Sequence, residues 1–382
     1  MNYFPTTKKE ILKNLEDFSK NEILNYSSNR NYDLGIPHKN VSKLSPYIRR
    51  RFISEEEVMS IILKDNEINK IEKFIEEIFW RTYWRGWLET HPWIYNEYLK
   101  NNETKDLLKK TGIKCFDHWV DELLETGYLH NHARMWFASI WIFTLGYSWQ
   151  SGAKFFENNL LDFCPASNTL GWRWVAGIQT IGKPYIARAE NIRDFTKNRF
   201  YPKDQLNNTP NYSFENFSNG KASKFLEPKT IPFEDLTKVG LILNNNDLSL
   251  NKVLDKKGIK YNCCLWSTNN QNPIINNFQK LLYEDVCNNL NGVPLISDFE
   301  TIFHWIQNKG IKNLILPYET VGNKLFSNRD FLNKLELLEV SYYFYLREWD
   351  QNAFPHCTRG FFNFKKMINE LINLKNIFIN AL

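Results

Sequence analysis

In the stretch IEEIFWRTYWRGWLE, Glu77, Trp80 and Trp84 recur at three- and four-residue spacing and so share one helical face, while Ile71, Phe74, Ile75 and Ile78 form a second, core-facing stripe. An acid flanked by two large aromatics offers a flat heterocycle both a stacking surface and a hydrogen-bond acceptor. The same spacing also suits a helix buried all round in which Glu77 pairs with an arginine, and this stretch alone favours that plainer reading. In HNHARMWF, Asn131, Arg134 and Met135 share a face. Amide, guanidinium and thioether together suit the edge of a polar planar group, although a partly buried arginine at a helix end is common. In VSKLSP, Ser42 and Ser45 precede Pro46, with Lys43 and Arg49 to Arg51 nearby. Hydroxyls and free backbone N–H groups at a helix start make an anion site, and a plain N-cap beside a solvated arginine run explains them equally. In DFCPASNTLGWRW, Asp162, Asn168 and Trp172 surround Pro165, a residue tolerated in a first helical turn, so Asn168 and Trp172 lie one turn apart. Ten of the 13 tryptophans fall between Trp80 and Trp174, a density above ordinary core filling.

These residues need a scaffold, and the periodicity predicts a helical one. Apolar spacing places helices near 7–25, 54–64, 67–89, 117–126, 130–145, 151–160 and 185–196, so residues 1–205 read as an all-α domain. Residues 206–232 are rich in Asn, Ser and Pro without a period and read as a linker. From 233 to 382 the texture changes. KVGLILN, YNCCLWS, IKNLILPY and LEVSYYFYL are short apolar runs separated by helical stretches at 275–290 and 298–309, the pattern of a smaller, Rossmann-like α/β domain with a parallel sheet. No GxGxxG or GxxxxGK[ST] fingerprint places a ligand in it.

Composition bounds the rest. A chain of 382 residues holds two cores, and a net charge of +5 is too mild to argue nucleic-acid binding by itself. The six cysteines form no CxxC pair and no metal-ligand spacing with histidine, so no metal and no disulfide framework is expected. The N-terminal MNYFPTTKKEILKNLEDF carries charges inside its apolar pattern, unlike a signal peptide or membrane span. A soluble, cytoplasmic protein with no membrane partner is the expectation.

Taken together and in order, VSKLSPYI, EEIFWRTYW, HNHARMWFAS and LDFCPASNTLGWRWVAGIQTIGKPY closely resemble the FAD-binding domain of the DNA photolyase/cryptochrome family over roughly residues 20–200. The resemblance implies FAD as cofactor and UV-damaged DNA as partner of a monomer, with cyclobutane pyrimidine dimers split by an electron from the light-excited reduced flavin. It assigns Tyr26 and the segment Val41, Ser42, Lys43, Leu44 and Ser45 to the FAD phosphates and ribityl chain, and sets Phe74 against the cofactor. Arg134 and Asp162 match the Arg–Asp pair beside the flavin, Cys164 lies near its pyrimidine edge, and Asn168 matches the residue facing flavin N5. Glu77 would stabilise the lesion radical anion and Trp80 would stack on the damaged bases. Trp172 and Trp149 match the proximal and middle members of the photoreduction chain. The third member is not placed, with Trp93 and Trp119 as guesses. Arg30, Trp84, Asn131 and His132, with Lys43, would meet DNA. Relatives that repair (6-4) photoproducts carry histidines where this chain has Asn131 and Met135, which favours the cyclobutane lesion.

Two departures stand out. Where family members carry a second acid, two residues beyond the position matching Asp162, this chain has Cys164. The usual order of α/β half first is reversed, with ILNNNDLSLNK faintly like the opening of that domain and AFPHCTRGFFNFKKMI like segments near the end of some relatives, which implies a permuted bacterial relative. Whether the trailing domain holds an antenna chromophore is unknown from sequence. Two rival readings remain: a cryptochrome-like photoreceptor, or a scaffold that binds flavin or nucleic acid without photochemistry.

Overall fold

The computed structural model describes residues 3–100, 110–209 and 220–373. The middle of the expected linker, 210–219, lies outside them. Among the described residues, the first half is helical: α1 (Lys8–Asn21), α2 (Glu55–Asp65), α3 (Glu72–Thr90), α4 (Trp93–Leu99), α5 (Lys114–Thr126), α6 (Asn131–Ser139), α7 (Trp149–Asn159), α8 (Pro165–Val175) and α9 (Ala189–Phe195). The local chemistry fixes several boundaries. Ser54 and Glu57 cap α2 reciprocally, each side chain taking a backbone N–H of the other. Pro165 opens α8 where no N–H is needed. Gly127 closes α5 at φ 70°, a conformation that a Cβ disfavours. A π-helical turn, Ile140–Thr144, extends α6.

The second half is a five-stranded parallel sheet in the order β3-β2-β1-β4-β5, built from β1 (Val239–Leu243), β2 (Tyr261–Trp266), β3 (Leu295–Ile296), β4 (Asn313–Pro317) and β5 (Ser341–Tyr345). Four of these strands are the four apolar runs read from sequence. The crossovers are α10 (Asn251–Lys256), α11 (Pro273–Asn289), α12 (Phe299–Asn308) and α13 (Arg329–Leu337). Alternation along the strands divides the core. Leu241, Leu243, Leu265 and Ile315 join the apolar cluster of α1, α2, α3 and α11, while Ile242, Cys264, Leu314 and Leu316 pack on Ile302, Trp305 and Phe331 of α12 and α13. One face of the sheet is thus covered by the helical half itself. A second aromatic core, built from Trp119, Trp136, Phe137, Trp141 and Trp172, lies wholly within the helical half.

The last helices return to the helical half: α14 (Glu348–Ala353) and α15 (Phe361–Lys365) pack on α3, and α16 (Ile368–Asn373) joins the same apolar cluster. Gly86 allows that approach, because a Cβ there would stand 2.6 Å from the Cys357 sulfur. A buried ionic lattice fastens the junction. Arg51 bonds Glu55 at 3.0 Å and Asp350 at 2.7 Å, Arg85 bonds Asp350 at 2.8 Å, and Arg81 bonds Glu55 at 2.8 Å. Arg347 adds a bidentate pair to Asp247 at 2.5 and 2.9 Å. No helix among the described residues is long and apolar enough to cross a membrane.

Candidate functional site

Helix α6 and the turn between α7 and α8 bring the two halves of the expected Arg–Asp pair together. Arg134 donates from both terminal nitrogens to Asp162, at 3.0 and 2.8 Å, and its Nε is held by the Leu129 carbonyl at 2.9 Å. The fork geometry suits a guanidinium against a carboxylate. Ser45, exposed at the start of a short helical turn, donates to Asp162 Oδ2 at 2.5 Å. The segment Val41–Ser45 and the Arg–Asp pair, distant in sequence, therefore form one cluster. Val41, Ser42 and Lys43 are half-buried and Leu44 is buried. Lys43 donates to the Pro37 carbonyl at 2.8 Å.

Asn168 donates from Nδ2 to the Ala153 carbonyl at 2.8 Å, which locks α8 against α7 and fixes the amide's orientation. Trp172 reaches the same helix. A Cβ on Gly152 would lie 2.2 Å from its ring, so the glycine is what lets α7 and α8 approach. Trp149, one turn earlier on α7, is 2% exposed and has the Arg173 guanidinium 5.9 Å from its ring centre.

On α3, Phe74 meets Tyr26 edge-on at 5.1 Å. Glu77 lies 3.8 Å from Arg30, with 38% of its side chain exposed. Burial of the remainder raises the Glu77 carboxyl above its ordinary pKa, and Arg30 opposes that shift. Asn131 is exposed, and Met135 and Trp84 are half-buried, so these three remain reachable from solvent.

Two expected DNA contacts have neighbours that limit their access. His132 is buried, its Nδ1 meets the Asn31 carbonyl at 2.8 Å, its Nε2 meets the Tyr185 hydroxyl at 3.3 Å, and its ring stacks on Trp136 at 4.1 Å. From there it packs the helical core and offers no free nitrogen to a phosphate. Trp80 is half-buried with one face against Phe361 of α15, 3.6 Å between centroids and 10° between planes, and Trp84 tilted beside it at 5.2 Å. A base can reach only the remainder of its surface. Of the two guesses for a third electron carrier, Trp119 is fully buried and bonded to Asp33 at 3.0 Å, and Trp93 is half-buried with its ring 5.1 Å from His91.

Sequence reasoning missed the surroundings of Cys164. The thiol is buried, which by itself would raise its pKa, but Arg81, Arg49 and Arg85 outweigh burial and lower it. Three arginines facing one thiol were hidden because Arg49 and the α3 pair Arg81 and Arg85 all lie far in sequence from Cys164. Replacing Cys164 with Asp introduces a carboxylate that already has cationic partners, so the variant is expected to fold and to lower the reduction potential of a bound flavin. Spectroelectrochemical titration checks this, and an unchanged potential would show that position 164 does not act on the ring.

The donor set fits a flavin. A guanidinium held by a carboxylate, an oriented amide, hydroxyls and buried aromatics match a planar ring with a polar edge and a phosphate tail. Among the described residues no group of three or more His, Cys, Asp or Glu side chains is placed to hold a metal ion. A separate cavity of about 360 Å³ opens between α2, α10 and the end of β5, lined by Met59, Leu63, Val253, Tyr345 and Trp349, and none of the expected site residues lines it.

Comparison with known proteins gives the same direction. Residues 74–203 match the family described as FAD binding domain of DNA photolyase. A deoxyribodipyrimidine photo-lyase of Alkalihalophilus pseudofirmus is 28% identical over 224 residues, 54% of this chain and 46% of the relative. One of Buchnera aphidicola subsp. Acyrthosiphon pisum is 27% identical over 203 residues, 48% of this chain and 41% of the relative. A solved structure of a bacterial class III photolyase from Agrobacterium tumefaciens aligns with a TM-score of 0.44 at 26% identity, covering 52% of this chain and 44% of that one. The match thus spans less than half the length of each of these relatives.

Proposed function

The chain belongs to the photolyase/cryptochrome family, and from that premise we propose that it is a light-driven DNA repair flavoprotein that splits cyclobutane pyrimidine dimers. The observation that carries the reading is the Ser45–Asp162–Arg134 cluster, with Arg134, Asp162 and the oriented amide of Asn168 inside the matched segment 74–203. When bound, reduced FAD supplies under blue light the electron that opens the cyclobutane ring. Arg134 and Asp162 hold the polar edge of the cofactor, and Ser45 positions the segment that meets its phosphate arm. Glu77, partly exposed and with a raised pKa, presents a hydrogen bond to a pyrimidine carbonyl on which charge develops. Asn131 and Met135 line the same approach without a proton donor of histidine type. UV-damaged DNA is bound with the lesion extruded, which is easier where pairing is already weakened. Arg30 supplies a cation at the rim, so affinity falls with salt. Residues 233–373 form the permuted α/β partner of the flavin-binding half, which we take to span 1–205.

Substitution of Glu77 by Gln keeps a hydrogen-bonding group and removes the titrating proton. Repair yield per absorbed photon is expected to fall several-fold with flavin content unchanged, measured by recovery of intact thymine absorbance in a dimer-containing oligonucleotide. Loss of flavin in this variant would instead place Glu77 in the fold. The retained Glu77, Asn131 and Met135 set favours repair over light sensing, and a light-induced flavin change without any dimer loss would favour the photoreceptor.

A further inference from the structure

The stretch AFPHCTRGFFNFKKMI, to which the flavin-binding residues give no role, runs along α3 in the opposite direction. Cys357 lies against Gly86, Phe361 against Trp80 and Tyr83, and Phe364 against Phe79 and Tyr83. Lys365 then bonds Glu76 at 2.5 Å and Glu72 at 3.0 Å. These contacts follow α3 from residue 86 back to residue 72, so the stretch borders the face that carries Trp80.

Its buried and exposed sides differ in chemistry. Phe361 is 4% exposed and Phe364 1%, whereas Phe362 between them is 80% exposed, its ring 6.4 Å from that of Phe361 and 68° from its plane. Arg359, Gly360, Asn363 and Lys366 are exposed with it. From Gln351 to Asn369 the sequence holds no acid. Lys365 is neutralised by Glu72 and Glu76, but Arg359 and Lys366 have no ion-pair partner among the described residues. A single exposed ring is ordinary on a protein surface. An exposed ring between two unpaired cations, joined through one buried ring to Trp80, is suited to a nucleic-acid strand, with the ring for a base and the cations for phosphates.

Resting on the repair reading above, we propose that Phe362, Arg359 and Lys366 bind the DNA strand beside the lesion, with Phe362 stacked on a base that adjoins the extruded dimer. Extrusion leaves that base without a stacking neighbour on one side, and Phe362 supplies one. Arg359 and Lys366 meet the flanking phosphates. Phe361 is a positioning residue. By covering one face of Trp80 at 3.6 Å it leaves the other face for the lesion and fixes where Phe362 stands relative to it. The C-terminal half of the chain thereby completes a substrate site whose other residues come from the helical half.

The test is equilibrium binding in the dark, with flavin-loaded protein kept oxidised so that no dimer is split. Red-dye-labelled oligonucleotides with and without a thymine dimer are titrated over a range of salt. Phe362→Ala is expected to bind the dimer-containing strand roughly tenfold more weakly. Phe362→Trp is expected to restore affinity and Phe362→Leu not, because leucine is apolar but has no ring to stack. Arg359→Gln and Lys366→Gln are each expected to lower the slope of log affinity against log salt by about one. 2-Aminopurine placed beside the dimer, on each side in turn, is expected to be quenched by wild type at one of the two places and to stay bright with Phe362→Ala. Unchanged affinity in Phe362→Ala, rescue by leucine equal to that by tryptophan, or unchanged salt slopes in both cation variants overturns the proposal. So does a wild-type dimer in sedimentation that Phe362→Ala dissociates, which would make the patch a contact between copies of the chain. Failure of wild type to bind either oligonucleotide overturns both this proposal and the repair reading. Binding that depends on Phe362, with no loss of dimers when the reduced protein is lit, contradicts the repair reading alone.

Discussion

Replacement of Asp350 by Ala is expected to cost about 3–5 kcal/mol of folding stability, the range for stripping one partner from a buried ion pair. Asp350 is fully buried and bonds Arg51 at 2.7 Å and Arg85 at 2.8 Å. Without it, both guanidiniums share Glu55, which already receives Arg81. The loss should also loosen α14 from α3, where Trp349 donates to Thr82 Oγ1 at 2.8 Å. Chemical denaturation at neutral pH measures the cost, and a change under about 1 kcal/mol would show that the lattice relaxes around the gap. The pH dependence has a definite sign. Burial alone would raise the Asp350 pKa, but Arg51 and Arg85 outweigh it and lower the pKa. Glu57 is likewise brought down from 4.5 to about 2, burial opposing the shift and Lys8 and Lys252 driving it. Depressed carboxylates contribute stability that is present above their unfolded pKa and lost as pH falls through the folded one. Wild type should therefore lose stability as pH drops from 4.5 towards 2, and the acid limb should be shallower in Asp350→Ala.

Removal of the Asp162 carboxylate, as Asp162→Ala, should produce a protein that purifies without flavin. Arg134 would lose both of its bonds to Asp162, at 3.0 and 2.8 Å, and Ser45 its acceptor at 2.5 Å. The polar edge would then have no fixed guanidinium. An unpaired, largely buried cation costs about 3 kcal/mol or more, which corresponds to flavin binding weaker by at least about 100-fold. Fluorescence titration of flavin-free protein with FAD measures this directly. Affinity equal to wild type would show that the pair serves packing of the α7–α8 turn on α6 and does not set cofactor affinity.

Much of the scaffold was legible because short-range physics specifies it. The central strands β1 and β4 announce themselves as apolar runs because both their faces are covered, whereas β2 and β5 are legible by apolar and aromatic content although each is only partly buried. The two-residue β3 carries too little pattern to be seen. The Arg134–Asp162 pair was legible through resemblance, but the bond from Ser45 to Asp162 was not, because the two lie 117 positions apart. What stayed hidden depends on residues far apart in the chain. Arg51 and Asp350 pair across 299 positions, and no local period records that contact. The resemblance assigns His132 to DNA, but the Asn31 carbonyl and Trp136 turn it inward. The resemblance makes Trp80 a stacking wall for the damaged bases, and no local pattern shows that the distant Phe361 covers one of its faces.

The most direct test of repair is a light–dark comparison on purified protein loaded with FAD and reduced. A thymine-dimer oligonucleotide is added, half the sample is exposed to blue light, and restored thymine absorbance is followed. The account predicts restoration in the light alone, in proportion to bound flavin. Flavin bound and reduced with no restoration in either sample would contradict it.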